Sequence, residues 1–149
     1  ALVATLVTGT MVTGAGPHAG DASVLPEDRL QLPIAELSHV HAGFMYLYLG
    51  LSVGLVFGLI AQNAEPALRK WGWWLVALIA AQGAVGMVQY WSGVPEVLVP
   101  VHVAGSGALT AVTAIVWQLG WRHAGGTATA TGSPAGDAEY NSHSARVTA

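Results

Sequence analysis

Val97–Leu109 reads VLVPVHVAGSGAL, and it sets one histidine, His102, inside an apolar run that continues to Trp121. Between Glu96 and Arg122 there is no Asp, Glu, Lys or Arg. A run of that length and character reads as a helix crossing a membrane. An ionisable group in hydrocarbon costs several kcal/mol unless it is partnered, which makes His102 a candidate functional residue. Gly105, Ser106 and Gly107 follow one turn later, and small residues there open the helix face to something bulky. The question for the remaining chain is what partners His102.

Working outward, three more apolar runs emerge. Ala1–Thr13 is apolar and threonine-rich, and it spans only about 20 Å of a core of about 30 Å. Glu36–Gln62 and Trp71–Trp91 are long enough to cross, and Val97–Trp121 is the fourth run. The connections are a longer loop over 14–33, a polar turn over 63–70 and a tight turn over 92–96. The tail, 122–149, is Gly, Ala, Thr and Ser with few large apolar residues and reads as disordered. This predicts an all-α membrane protein, a four-helix up-down bundle over 1–121, with both ends on one side.

Composition agrees. Of 149 residues, 53% are hydrophobic and only 9% charged, against about 25% in a soluble domain. There is no cysteine, which removes disulfides, thiolate metal sites and thiol catalysis. With a net charge of -3 and no basic patch, nothing points to nucleic acid. Ala1 already lies within an apolar run with no charged segment before it, so the chain reads as part of something longer. Arg69, Lys70, Arg122 and Arg146 share one side, and Arg29 alone is on the other. The positive-inside rule places the tail in the cytoplasm and the GPHAGD loop outside. Trp71, Trp73 and Trp74 at one end of the third run, and Tyr90 and Trp91 at the other, suit aromatic belts.

The partner candidates lie on the second run, IAELSHVHAGFMYLYLG, as His39 and His41. They are about 200° apart on a helix, so only one can face the core. His41 and His102 come at matching depth, each about 9 Å from the outer end of its helix. A haem iron held between two histidines satisfies both imidazoles, whereas zinc asks for three or four protein ligands. His39 stays open as the ligand in place of His41. His41, Met45, Tyr48 and Ser52 share one helix face, as do His102, Ser106, Leu109 and Thr113. Gln82 and Gln89, with Gly83 and Gly86, are the third run's contribution. Arg29 and His18 are candidates to reach haem propionates from the outer loop. A helix–helix hydrogen bond from each histidine, with no haem, is the plain structural reading.

These segments also carry a family resemblance. GTMVTGAGPHAGD, the histidine in HAGFMYLYLG, and QGAVGMVQYWSGVPEVLVPVHVAGSGAL look like the haem A synthase family of membrane proteins in its actinobacterial form. The likeness covers nearly all of Ala1–Trp121. It implies half of an eight-helix pseudo-repeat in a bacterial plasma membrane. The family oxidises the haem O methyl group to a formyl group for cytochrome oxidase assembly. This chain is similar to the carboxyl-terminal half, where His41 and His102 match the ligands of an electron-passing haem b. By that resemblance its partners are membrane lipid, the catalytic half or a haem O-supplying enzyme, and an electron donor. The sequence Glu36-Leu-Ser-His39 superficially repeats the catalytic half's motif, but the GPHAGD loop and the HAG after His41 match the other half. No catalytic residue is carried over. A stand-alone bis-histidine b-type cytochrome is the alternative.

Overall fold

The computed structural model describes residues 1–17, 19 and 24–130. The described part is all-helical. Its elements are α1 (Leu2–Ala15), a 3-10 turn (Pro26–Asp28), α2 (Ile34–Ala61), α3 (Pro66–Trp91) and α4 (Leu98–Ala130). Three of the four α-helices are long and apolar enough to cross a membrane: α2, α3 and the Leu98–His123 part of α4. At 14 residues α1 is apolar but short, about 21 Å.

The boundaries differ from the sequence reading in instructive ways. Helix α3 starts at Pro66 and not at Trp71, because proline has no N–H to lose at the first helical position. Arg69 and Lys70 therefore lie inside the helix, where long side chains can carry their charge outward. Helix α4 runs past Trp121 to Ala130, over the first part of what the sequence suggests is a disordered tail. Alanine and threonine there continue a helix already nucleated, which costs less than starting one. His143 and Arg146 lie outside the described residues.

Turn chemistry explains the connections. After α2, Asn63 takes a left-handed φ of 49° and Ala64 N–H donates to Leu59 C=O. After α3, Gly93 has φ 75° and Val94 N–H donates to Gln89 C=O. Both are the six-to-one closure that ends a helix on a left-handed residue. In the loop between α1 and α2 the Gln31 amide donates to the carbonyls of Pro26 and Arg29, at 2.8 and 2.9 Å. Leu30 N–H ties the loop to Gly14 C=O.

Neighbours in sequence pack together: α1 on α2, α2 on α3, and α3 on α4. The core runs between them through Tyr48, Leu68, Leu75, Ile79, Leu109 and Val116. Gly72 is part of that packing, since a Cβ there would meet Val56 Cγ2 at 2.9 Å. Large apolar side chains such as Leu47, Leu51, Phe57, Trp73 and Trp117 face outward, as helices with lipid for solvent require.

Candidate functional site

Helices α2 and α4 do not pack along each other, so side chains bridge them. Two bridges exist. The Tyr48 hydroxyl and Thr113 Oγ1 are hydrogen-bonded at 2.5 Å. Thr113 Oγ1 also donates to Leu109 C=O, so the tyrosine is the donor between the two side chains. Nearer the outer ends, the rings of His41 and His102 approach with centroids 6.5 Å apart and planes at 76°. The faces read from the sequence are those that meet here: Tyr48 and Ser52 are buried below His41, and Leu109 below His102.

His41 is held by the shortest helix. Its Nδ1 lies 3.0 Å from Thr5 C=O and 3.3 Å from Thr8 Oγ1. A carbonyl only accepts, so Nδ1 carries the proton and Nε2 keeps its lone pair. Thr8 Oγ1 in turn donates within α1, to Ala4 C=O at 2.8 Å. Gly9 makes room for the ring: a Cβ there would meet His41 Cε1 at 3.0 Å. In the apolar, threonine-rich run Ala1–Thr13 the local signal for this contact is the three-residue spacing of Thr5 and Thr8, which turns both toward one neighbour.

His102 has the opposite surroundings. Its Nδ1 is buried with no protein partner. Gly86 of α3 faces its ring, with a would-be Cβ 3.5 Å from Cε1. One turn along the same seam, the Gln82 side chain lies where a Cβ of Gly105 would go. The space at Gly105, where the sequence suggests a flat ring, holds the Gln82 carboxamide. Gln82 Oε1 is also buried without a partner. Gly107 has open space around it.

The donor set bears on what the pair can hold. The two rings lie 6.5 Å apart between centroids with planes at 76°, close enough that both histidines could reach one metal ion. Among the described residues no group of three or more His, Cys, Asp or Glu is placed to hold a metal ion. A bare ion would therefore find two protein ligands at this pair, fewer than the three or four zinc takes, whereas a porphyrin iron would ask the protein for two. His41 has the backbone-bonded Nδ1–H that a ligand histidine commonly has.

The remaining candidates sit apart. His39 is exposed and its ring lies 6.1 Å from that of Tyr90. Arg29 lines a cavity of about 410 Å³ with Ala15, Pro26, Gln31 and Pro33, between the end of α1 and the start of α2. Its Nε is buried and has no protein partner. His18 lies outside the described residues. No family model matches the chain, and neither a curated protein nor a solved structure matches it.

Proposed function

We propose that this chain is a b-type haem protein of the membrane, an up-down four-helix bundle in which His41 and His102 would hold the haem iron. The observation that carries the reading is the 6.5 Å approach of the two rings, with the His41 Nδ1 proton committed to Thr5 C=O. Each residue has a task. Thr5 and Thr8 fix the His41 ring and leave Nε2 free to bind. Arg29, with an unpartnered Nε beside a cavity at the outer loop, offers a cation to propionates. Leu109 and Tyr48 close the space below the histidines and exclude water. When bound, the haem supplies one-electron chemistry.

The sequence resemblance supports a narrower role, the electron-carrying haem b half of haem A synthase, which serves oxidation of the haem O methyl group. The test has two stages. Purified protein is titrated with protohaem, and a low-spin bis-histidine spectrum at one equivalent is expected. A high-spin spectrum, or none, would overturn the haem reading. The chain is then supplied with a catalytic half and haem O. Formyl product that depends on His41 and His102 supports the narrower role. Haem binding without product under those conditions leaves an electron-carrying cytochrome.

A further inference from the structure

The two histidines are unequal, and the inequality is specific. His41 Nδ1 has Thr5 C=O at 3.0 Å, while His102 Nδ1 is buried with no protein partner. Buried polar atoms are paired in the great majority of cases, so a buried orphan calls for an explanation. A second orphan, Gln82 Oε1, lies in the same α3–α4 seam. Gly86 faces His102, and Gln82 faces Gly105. Gln82 and Gly86 are four residues apart on α3, and His102 and Gly105 three apart on α4. Gln82 and His102 thus sit about one helical turn apart along the seam. Of the two orphans, one is a nitrogen that can donate, the other an oxygen that can only accept. A single buried water can accept from the one and donate to the other.

We infer that Gln82 is the positioning residue of His102: its Oε1 accepts the Nδ1 proton through one buried water, which fixes the imidazole with Nε2 free to bind. It rests on the bis-histidine reading and deepens it. The arrangement gives His102 what Thr5 gives His41. It also explains why position 105 has no Cβ: any side chain there would push the carboxamide out of its seat. Partners of this kind hold the ring and raise its basicity, and losing one costs about 10–100-fold in metal affinity.

The experiment compares wild type, Gln82→Leu, Gln82→Glu and Gly105→Ala, each loaded with protohaem. A wild-type protein without a bis-histidine spectrum would overturn the parent reading and this inference with it. Given that spectrum, Gln82→Leu is expected to bind haem 10–100-fold more weakly and to raise the midpoint potential, because a less basic imidazole favours ferrous iron less poorly than before. Gln82→Glu restores a stronger acceptor and is expected to lower the potential below wild type. Gly105→Ala keeps the amide but displaces it, and is expected to shift the potential in the direction of Gln82→Leu. A merely structural role for Gln82 would not order the three potentials this way. An unchanged potential in Gln82→Leu, or in Gly105→Ala if Gln82→Leu does not fold, would overturn the inference.

Discussion

His39 and His41 stand two residues apart on α2 and point to different neighbours: His41 to His102, 6.5 Å away between ring centroids, and His39 to Tyr90 on the outer part of α3, 6.1 Å away. A helix rotates side chains by about 100° per residue, so the two rings are separated by most of a half-turn. His41→Ala and His102→Ala are each expected to abolish the low-spin spectrum of the haem-loaded protein. His39→Ala is expected to keep it. Retention in His41→Ala together with loss in His39→Ala would put the ligand on the other face of α2.

Arg29 is expected to contribute through charge. Arg29→Gln should weaken haem affinity by about 1–3 kcal/mol, the range of a hydrogen bond to a charged group. Arg69→Gln, at the opposite end of the chain's path across the membrane, should leave affinity unchanged. Titration of both variants by absorbance checks this, and equal losses would point to a general effect of net charge.

Two glycines should respond in opposite directions. A Cβ at Gly72 would meet Val56 Cγ2 at 2.9 Å, and Val56 is only 1% exposed and branched, with little freedom to yield. Gly72→Ala is therefore expected to destabilise by about 1–3 kcal/mol through overpacking. At Gly54 nothing lies within 4 Å, so Gly54→Ala should stabilise by about 0.5–1 kcal/mol through the lost flexibility of the unfolded chain. Thermal unfolding in detergent measures both.

Val94 is a β-branched residue at φ 58°, directly before Pro95. The left-handed region costs such a residue about 1–2 kcal/mol. Val94→Gly is expected to raise the unfolding temperature while leaving the haem spectrum unchanged. A lower unfolding temperature would mean that the Val94 side chain contributes more than its backbone costs.

Orientation follows from charge. The positive-inside rule, applied to Arg69 and Lys70, predicts that the α2–α3 turn faces the cytoplasm. A cysteine at Glu27 should then react with a membrane-impermeant thiol reagent in intact cells, and one at Gln62 should not. The reverse pattern would put the histidine pair near the inner face.

The sequence carried the fold well where its signals are local. Apolar runs bounded by proline, glycine and charge located α2 and α3, and the spacing of His41, Tyr48 and Ser52 gave the buried face of α2. The approach of His41 and His102 was legible, because an ionisable residue stands out in an apolar run. What holds them was not. The partner of His41 is a backbone carbonyl at Thr5, and a carbonyl has no residue type by which to be recognised. Gly105 was read as an opening, since nothing local says that Gln82, distant in sequence, fills it. Helix ends moved where Pro66 allowed an early start.

The way His41 is tied to Thr5 sets an order of manufacture. One hairpin, α1 with α2, contains His41, its acceptor and the glycine that admits its ring. The other, α3 with α4, contains His102, Gly86 and Gln82. As the ribosome delivers the chain from its amino end, the first half-site can be finished, with its imidazole already oriented, before α4 has been synthesised. The second hairpin then closes onto a prepared surface, and the two imidazoles come face to face only at that docking step.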